Sequence, residues 1–344
     1  MGEKKGTKYS IGILLSLLIM VNTVHGREIK DMAGRLVTVP DNITKVYAAQ
    51  PYTHVLMSVV APDLLLGLPG PLSETEKRFV RPEMAELPLF GSGKGPRSKP
   101  DIDAVLALHP DIVLLKGGPQ TDTKSAEERF AGLGLPVVFV DIDRIEDYAA
   151  GIEFTGTLLN RSERAKELAA YARRTLVKVE QAVADIPPGQ RVRVYYAESS
   201  DGLATECDQS FHADAIKMAG GSIVHHCTLS RHVGMEKVSL EQVLDYNPEV
   251  IVATDRVFAE LVRNDARWKR VRAIAEGKIF IIPRSPFNWI DRPPSVMRLM
   301  GVQWLAHRFY PERYPIDLRA ATREFQQLFF GVVPSDADLD TLLR

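Results

Sequence analysis

The sequence predicts an α/β protein of two similar, Rossmann-like lobes with mostly parallel sheets, joined by a long connecting helix, with a ligand cleft between the lobes. Three observations predict this fold. Short apolar runs alternate with helical patterns, one segment of the first half returns in the second half, and a proline-free helical stretch separates the two halves. The chain has 344 residues, 45% hydrophobic and 25% charged, which is enough for two cores.

The strand candidates are almost continuously apolar, which is typical of parallel strands covered by helices on both faces of a sheet. They alternate with helical patterns, as the strands of βαβ units do. Because these strands are expected to be buried, they form the scaffold. A ligand-binding site is expected in the loops that follow them. The candidates are residues 46–48, 112–115, 137–140, 192–196, 250–253 and 279–282.

An internal repeat relates the two lobes. Residues 101–114, DIDAVLALHPDIVL, correspond without a gap to residues 239–252, SLEQVLDYNPEVIV. In each copy a capping Asp or Ser precedes apolar residues at helical spacing, and a proline then ends the helix before a strand. A second correspondence relates residues 130–136 to 271–277. Each lobe is therefore expected to contain the same supersecondary unit.

Residues 145–186 form the predicted connection between the lobes, because they contain no proline and carry apolar residues at helical spacing. Residues 160–163 interrupt the pattern with a helix-capping signal, so one long helix and a helix-turn-helix both stay open. The predicted organisation is a signal peptide at 1–26, an N-terminal lobe at 27–144, the connecting segment at 145–186, and a C-terminal lobe with terminal helices at 187–344.

The N-terminus has the pattern of an export signal. Three lysines precede the apolar run 11–21, and small or tolerated residues follow at 24–26. An uncleaved membrane anchor is the alternative, but this run is shorter than the roughly 20 residues that span a bilayer. No cysteine stands directly after the run, since the chain's two cysteines are Cys207 and Cys227, so a lipid anchor is not expected. These features predict a soluble periplasmic protein.

Charge and cysteine usage limit the function further. Removal of residues 1–26 takes away three lysines and one glutamate, leaving 40 basic and 43 acidic side chains. This balance makes nucleic acid an unfavoured partner. Cys207 and Cys227 would lie in an oxidising compartment, where they can form a disulfide if their geometry allows it.

These features together resemble the helix-linked class of periplasmic binding proteins that serve ABC importers of cobalamin, ferric siderophores, haem and related metal chelates. The resemblance covers residues 28–330 and rests on the segment DMAGRLVTVP at 31–40, the two repeat units and the middle helix. The segment SPFNWIDRPPS at 285–295 resembles a subgroup that handles iron complexes, nickel chelates or related metal species. The resemblance implies only slight lobe closure around the cargo.

Ligands of open α/β sheets bind beyond the carboxyl ends of the strands, so the loops there supply the candidate binding residues. In the first lobe, Tyr52 and His54 can stack on or ligate a chelate, or can instead cap and pack a helix. In the second lobe, Tyr196 and Glu198 follow the first strand and would lie opposite Tyr52 if the lobes are related by pseudo-symmetry. His54 is also a possible metal ligand.

Adjacent histidines supply the next candidates. His225 and His226 are possible metal ligands, but neighbouring side chains of an extended segment point to opposite faces, so at most one is expected in the cleft. A structural or surface role is the alternative. A bare divalent metal would need three or four clustered ligands, which these scattered histidines do not establish.

Three arginines and a tryptophan complete the predicted binding set. Arg231, Arg284 and Arg292 have guanidinium groups that suit carboxylate, phosphate or other oxyanions. Trp289 can form a flat wall against a macrocycle or catechol, or can plug the space between its loop and the C-terminal helix.

Asp103 and Glu241 occupy equivalent positions in the first turn of the two repeat helices. The resemblance implies that such acids dock onto arginines of a membrane permease. The alternative is that they only stabilise a helix N-terminus.

The predicted function is reversible capture of a metal complex and its delivery to an inner-membrane ABC permease and its ATPase, by a monomer without a cofactor. An iron–siderophore complex is the first choice by family breadth alone, and cobalamin, haem, a nickel chelate or molybdate stay open. The alternative is a metal-handling enzyme or chelatase on the same architecture, with His54, Glu198 or His225 in acid–base or metal-handling roles. No phosphate-binding loop or nucleophile elbow of known spacing is present.

Overall fold

The computed structural model describes Gly2 and residues 26–91, 101–118, 121–227 and 235–343. Nearly all of the predicted export signal therefore lies outside the described residues, as does Arg231. The predicted fold class is confirmed: two α/β lobes with parallel sheets are joined by helices.

The N-terminal lobe has a two-stranded hairpin and a parallel sheet with flanking helices. Its elements are β1 (Gly26–Lys30), β2 (Leu36–Pro40), β3 (Val46–Ala48), α1 (Pro51–Val60), α2 (Glu74–Lys77), α3 (Pro82–Ala85), α4 (Ile102–Ala107), β4 (Ile112–Lys116), α5 (Thr123–Ala131) and β5 (Val137–Val140). The sheet has the order β3-β4-β5, with Val46 beside Ile112 and Val113 beside Val137. Helices cover both faces, which explains why the strands are apolar throughout.

The connecting segment contains two helices, α6 (Tyr148–Leu158) and α7 (Ser162–Val183). Of the two forms left open by the sequence, the structure therefore has the helix-turn-helix. The turn contains Asn160 in the left-handed region at φ 56°, whereas the residue before α7, Arg161, makes no side-chain capping bond. The helices cross closely, because a Cβ on Gly156 would overlap that of Ala165.

The C-terminal lobe repeats this organisation and adds terminal helices. Its elements are β6 (Val192–Ala197), β7 (Ala204–Thr205), α8 (Asp214–Met218), β8 (Gly221–Ile223), β9 (Glu236–Lys237), α9 (Leu240–Tyr246), β10 (Val250–Ala253), α10 (Arg256–Asn264), α11 (Arg272–Ala275), β11 (Ile279–Ile281), α12 (Arg298–Phe309), α13 (Leu318–Phe330) and α14 (Asp336–Leu342). The parallel sheet has the order β11-β10-β6-β8, and β7 pairs with β9 in a separate antiparallel ribbon.

The internal repeat is visible in the ends of its helices. Asp101 caps α4 and Ser239 caps α9, each accepting hydrogen bonds from backbone N–H groups of the first turn. Both helices then end before a residue in the left-handed region, His109 at φ 53° and Asn247 at φ 42°. The two copies therefore share their backbone path as well as their sequence.

Equivalent cations cap the carboxyl ends of these helices. The Lys45 ammonium donates to the Leu108 carbonyl at 2.9 Å, and the Arg193 guanidinium donates to the Tyr246 carbonyl. A cation at this position is favourable because the last carbonyls of a helix carry partial negative charge. The capping cation is thus a third feature that the two copies of the repeat share, after the N-terminal caps and the left-handed residues.

The C-terminal helix α14 contacts both lobes. Asp338 forms an ion pair of 2.8 Å with Arg78, which follows α2 in the N-terminal lobe. The Thr341 carbonyl accepts a hydrogen bond of 3.2 Å from Arg256 at the start of α10. Among the described residues, no helix combines the length and apolarity needed to span a membrane.

Candidate functional site

The candidate site lies between the lobes, where residues near the carboxyl ends of the strands meet. Lys116, the last residue of β4, places its Nζ 4.9 Å from the ring centroid of Tyr52 and 5.8 Å from that of Phe211. Tyr52 belongs to the N-terminal lobe and Phe211 to the C-terminal lobe. The ammonium is therefore held between aromatic rings of both lobes, at distances typical of cation–π contacts.

Lys116 is fixed by its neighbours and still reaches solvent. Its backbone N–H donates to Gln50 Oε1 at 2.7 Å, and its Nζ pairs with the Asp143 carboxylate. Its side chain is 23% exposed. Lys116 thus presents a positioned cation to the space between the lobes.

His54, in the first half of α1, forms a second contact between the lobes. Its ring centroid lies 6.4 Å from that of Phe287, edge to face. The residue is buried, and its Nδ1 has no hydrogen-bond partner among the described residues. Burial lowers the pKa of His54 to about 4, so the imidazole is neutral at neutral pH.

In the C-terminal lobe, an aromatic contact leads from Phe211 to a buried carboxylate. The rings of Phe211 and His212 lie 3.9 Å apart, tilted by 34°. His212 Nδ1 lies 2.6 Å from Asp291 Oδ1, and Asp291 is fully buried. Phe211 itself is 42% exposed, so this contact links the cleft surface to charged groups behind it.

Arg292 is the most exposed cation of that charged cluster. Its Nε donates to Glu198 Oε1 at 2.7 Å, its Nη2 lies 3.3 Å from Glu198 Oε2, and Nη2 also donates to Glu206. Asp291 Oδ2 lies 3.6 Å from Nε. The Arg292 side chain is 31% exposed, whereas the three carboxylates are buried. Charge-assisted bonds of this kind fix the guanidinium at the cleft.

Arg298 supports this cluster from the first turn of α12. Its Nε donates to the Ile290 carbonyl at 2.7 Å and its Nη2 to the Phe211 carbonyl at 2.9 Å. Nη2 also lies 3.5 Å from Asp291 Oδ1. These contacts tie the two loops that carry Asp291 and Phe211 to one helix. Because Arg298 is fully buried, it offers no exposed face to a ligand.

Burial sets the electrostatics of the cluster. It raises the pKa of Glu198 to about 7, against the opposing effect of the Arg292 guanidinium and with help from Glu206 and Asp291. Burial likewise raises the pKa of Tyr196 well above its usual value and that of Tyr148 to about 12. Both phenols therefore stay neutral, and the ionisation of Glu198 changes near neutral pH.

A disulfide lies directly beside the cluster. Cys207 and Cys227 are bonded, with Cα atoms 4.9 Å apart. Because Glu206 precedes Cys207, the disulfide ties the loop that carries this Arg292 partner to the segment after β8. The pairing left open by the sequence is thus present in the structure.

The structure brings Tyr52, Glu198 and Arg292 of the predicted set to the cleft or to the cluster behind it. Tyr196 is instead the fifth residue of β6 and fully buried, so it does not face Tyr52. The sheet registers explain this difference: Val194 pairs with Val250 as Val46 pairs with Ile112, which makes Ala48 the counterpart of Tyr196.

The adjacent histidines point to opposite faces, as expected, but both are engaged elsewhere. His225 is buried, with Nδ1 2.9 Å from the Tyr246 hydroxyl and Nε2 3.0 Å from Glu236 Oε2. His226 is 80% exposed and pairs with Asp208 at 2.7 Å. Neither joins the Arg292 cluster in this structure.

Trp289 and Arg284 also differ from the predicted binding wall. Trp289 is fully buried in the core, and its indole N–H donates to the Ser285 carbonyl at 3.2 Å. This placement supports the alternative interpretation, a plug between loop and helix, because a fully covered ring has no surface left for a ligand. Arg284 is exposed and donates to the Thr254 carbonyl at 3.3 Å.

Sequence reasoning missed six residues of the site. Lys116 was within reach of the strand-end rule, since it directly follows the predicted strand 112–115. The others come from two segments, residues 206–212 and 291–298, which meet only in the folded chain. The missed residues are Lys116, Glu206, Phe211, His212, Asp291 and Arg298.

No assembled set of ligands for a bare metal ion is found among the described residues near Arg292. In the described part of the chain, the grouping with suitable spacing is Cys207, Cys227 and Glu236. Its two sulfur atoms are bonded to each other and are therefore not thiolate ligands. The cationic and aromatic groups of the cleft instead suit an anionic or chelated ligand.

Comparison with known proteins agrees with this fold. A profile of the periplasmic binding protein family matches residues 83–286. The chain belongs to the periplasmic binding protein family. An ABC transporter solute-binding protein from Sulfurospirillum deleyianum is 35% identical, with a TM-score of 0.83 over 92% of this chain and 98% of that one.

One relative with a named cargo extends over nearly the whole chain. The molybdate-binding protein MolA of Haemophilus influenzae is 27% identical over 93% of this chain and 95% of its own length. The solved structure of MolA bound to molybdate has the same fold, with 24% identity and a TM-score of 0.69 over 90% of this chain and 99% of that one. This periplasmic binding protein is the solute-binding component of an ABC importer.

Proposed function

We propose that this binding protein captures a small oxyanion of the molybdate class between its lobes and delivers it to an inner-membrane ABC permease. The observation that carries the proposal is a pair of partly exposed cations on opposite lobes, Lys116 and Arg292, each fixed by neighbouring carboxylates. Tetrahedral oxyanions accept hydrogen bonds from ammonium and guanidinium N–H groups. The relation to MolA along nearly the full chain supports the same ligand class.

The sequence favours an iron–siderophore complex by family breadth alone. The buried position of Trp289 removes the flat wall expected to grip a catechol or macrocycle. The enzyme alternative also loses support, because His225 is engaged by Tyr246 and Glu236, away from the carboxylate of Glu198. The proposal therefore requires no chemical step on the cargo and no cofactor.

Calorimetric titration tests the ligand class. The mature protein is titrated with molybdate, tungstate, sulfate, nickel–histidine, cobalamin, haem and a ferric siderophore. We expect one molybdate or tungstate to bind per chain, with binding weakened by raised salt because two charges contribute. Tight binding of a neutral chelate, with no oxyanion binding, would contradict the proposal.

We also propose that Asp103 and Glu241 dock the protein onto its permease. Both are exposed, and each lies in the first turn of an equivalent helix, one per lobe. The pseudo-symmetric placement supports a partner with two related basic surfaces. Neither acid lies in the cleft cluster, so docking and ligand binding are separable.

Transport assays of paired charge reversals test the docking surface. Asp103→Arg with Glu241→Arg is expected to abolish uptake and leave ligand affinity within about twofold. Glu74→Arg with Glu260→Arg is the matched control, since it reverses one exposed acid per lobe elsewhere. Unchanged uptake in the first pair refutes the assignment.

Export through a cleaved signal within residues 1–26, action as a periplasmic monomer and the absence of a lipid anchor belong to the same proposal. The intact mass of the mature protein and its elution by size check these points. A retained signal, an added lipid mass or a stable dimer would contradict them.

A further inference from the structure

A cavity of about 240 Å³ lies in the N-terminal lobe, near the carboxyl ends of β3 and β4. Ligands of α/β sheets bind where parallel strands end in this way. The cavity is enclosed by these strands and by α5. Its walls include Tyr47, Leu115, Ser125, Arg129 and Phe130.

The cavity lies on the opposite face of the sheet from the cleft residues of α1. Tyr47 and Leu115 belong to the apolar cluster on the α5 side, whereas Ala48 belongs to the cluster that contains α1. Successive side chains of a strand point to opposite faces, so Tyr47 points away from the helix that carries Tyr52 and His54. A ligand in this cavity would therefore occupy a second site, separate from the cargo between the lobes.

Tyr47 gives the cavity an unused polar group. The residue is 1% exposed, and in the described part of the chain its hydroxyl has no hydrogen-bond partner. Its ring packs edge to face against Phe90 at 5.4 Å and Phe130 at 6.3 Å, which fixes its direction. Because an unpaired polar group in the interior is unfavourable, a ligand atom that accepts from this hydroxyl is stabilised.

Arg129 supplies a cation to the same space. Among the described residues its guanidinium forms no ion pair, and its Cζ lies 5.6 Å from the ring centroid of Phe130. Burial raises the pKa of Tyr47, and the nearby charge of Arg129 opposes this shift. The phenol therefore stays neutral at neutral pH, so that both residues present hydrogen-bond donors to the cavity.

Two further polar side chains extend this donor wall. Gln50 Oε1 already accepts from the Lys116 backbone N–H at 2.7 Å, which leaves the amide N–H groups of Gln50 for a ligand. Ser125 lies one helical turn before Arg129, so the two share a face of α5. Asp122, an acid at the edge of the cavity, is engaged as the N-cap of α5. The polar wall therefore suits a ligand group that accepts hydrogen bonds.

The opposite wall is apolar, with Leu115 and Phe130 as its large side chains. A tetrahedral oxyanion has acceptors on every side, so some of its oxygens would face this wall without a donor. A carboxylate attached to a hydrocarbon ring matches both walls. The volume is below the roughly 300–1,000 Å³ of pockets for drug-sized ligands, which limits the ligand to about one ring.

We propose that this cavity is a second binding site, which takes a small monocyclic carboxylate through Arg129 and Tyr47. The carboxylate accepts from the Arg129 guanidinium and the Tyr47 hydroxyl, and the ring lies against Leu115 and Phe130. This inference goes beyond the proposed capture of an oxyanion in the cleft and does not depend on it.

Fluorine NMR of the mature protein, with 4-fluorobenzoate as the probe, tests the site. We expect one probe to bind per chain, with a dissociation constant of about 1 mM or lower. The uncharged 4-fluorobenzyl alcohol should bind about tenfold more weakly or worse, because it cannot pair with the guanidinium. No saturable binding of 4-fluorobenzoate up to about 10 mM overturns the proposal.

Variants of the cavity wall locate the bound probe. Arg129→Gln should weaken binding about tenfold or more, and Tyr47→Phe about threefold or more. The second variant keeps the packed ring and removes only the hydroxyl. Lys124→Gln is the matched control, because Lys124 is a cation of the same helix that is 83% exposed and outside the cavity wall. Wild-type affinity in both cavity variants, or equal losses in the control, would refute the site.

Competition with molybdate separates this site from the cleft. Saturating molybdate should change the dissociation constant of the probe by less than about twofold. Displacement of the probe by molybdate would place it in the cleft, which overturns the second site and leaves oxyanion capture standing. If molybdate does not bind at all, the proposed function fails, and the probe titrations with the two cavity variants still decide this inference.

Discussion

At the scale of single residues, the site depends on Arg292 being held by partners from distant parts of the chain. Its backbone lies in the left-handed region at φ 54°, which non-glycine residues rarely adopt. The bonds to Glu198 and Glu206 fix the guanidinium despite this conformation. The same guanidinium bridges two carboxylates and also faces the cleft. These two roles together require a side chain with several separate N–H donors.

Replacing Arg292 by lysine should therefore damage binding although the charge is kept. A single ammonium cannot reproduce the fork, so we expect molybdate affinity to fall about tenfold or more, as measured by calorimetry. Arg313→Lys is the control, since Arg313 pairs with Asp185 outside the cleft. Equal affinities of the wild-type protein and the Arg292 variant would show that Arg292 does not contact the ligand.

His54 makes stability depend on pH in a predictable direction. Its folded pKa is about 4, while an unfolded imidazole titrates near 6.5. Between these values the unfolded chain binds more protons, so stability is present above about pH 6.5 and is lost as pH falls toward 4. The loss attributable to His54 should reach about 3 kcal/mol at most.

Urea unfolding of His54→Leu across this pH range measures the effect. The variant should lose less stability on acidification than the wild-type protein. His226→Leu serves as the control and should keep the wild-type slope, because His226 is 80% exposed. Parallel pH profiles for the wild-type protein and His54→Leu would exclude a neutral buried imidazole.

At the scale of elements, α12 positions the loop that carries Arg292. A Cβ on Gly301 would overlap the Trp289 carbonyl oxygen and would lie 2.8 Å from Ile290 Cδ1. Only glycine allows this close approach of helix and loop. The helix therefore fixes the loop by backbone contact as well as through Arg298.

Gly301→Ala should destabilise the protein by about 1–3 kcal/mol and weaken ligand binding, because the loop must move away from α12. Gly132→Ala is a suitable control: Gly132 has φ −63° and no atom within 4 Å of an added Cβ. Urea unfolding and calorimetry measure both effects. A neutral Gly301 variant would mean that the loop adapts freely.

The sequence predicted the regular elements better than the short ones. The repeat predicted α4, β4, α9 and β10 because hydrophobic spacing, caps and terminating prolines agree there. The sequence did not predict β8, β7 or β9. Each of these strands has only two or three residues, which are too few to show a hydrophobic period. Their pairing is set by the sheet edge and by neighbouring loops instead.

At the scale of the whole molecule, the site was less predictable than the fold because its charges are supplied by separate segments. Glu198, Glu206 and Arg292 come together only when the C-terminal lobe folds. The strand-end rule found Glu198, and the loop motif contained Arg292. Which acids would pair with that arginine depends on tertiary packing, which a single sequence does not encode locally.

The lobes are joined by α14 as well as by the connecting helices, and this has a testable consequence. Leu339 is fully buried on α14, between the Asp338 contact to Arg78 and the Thr341 contact to Arg256. Leu339→Ala should cost about 2–5 kcal/mol and loosen both contacts together.

Hydrogen exchange should then become faster in α2 and at the start of α10 in the same variant, although these elements belong to different lobes. Val333→Ala, at a side chain 59% exposed just before α14, should change neither. Faster exchange in only one lobe would show that α14 is an appendage of that lobe. Faster exchange in both would show that α14 couples the lobes and so limits how far the cleft can open.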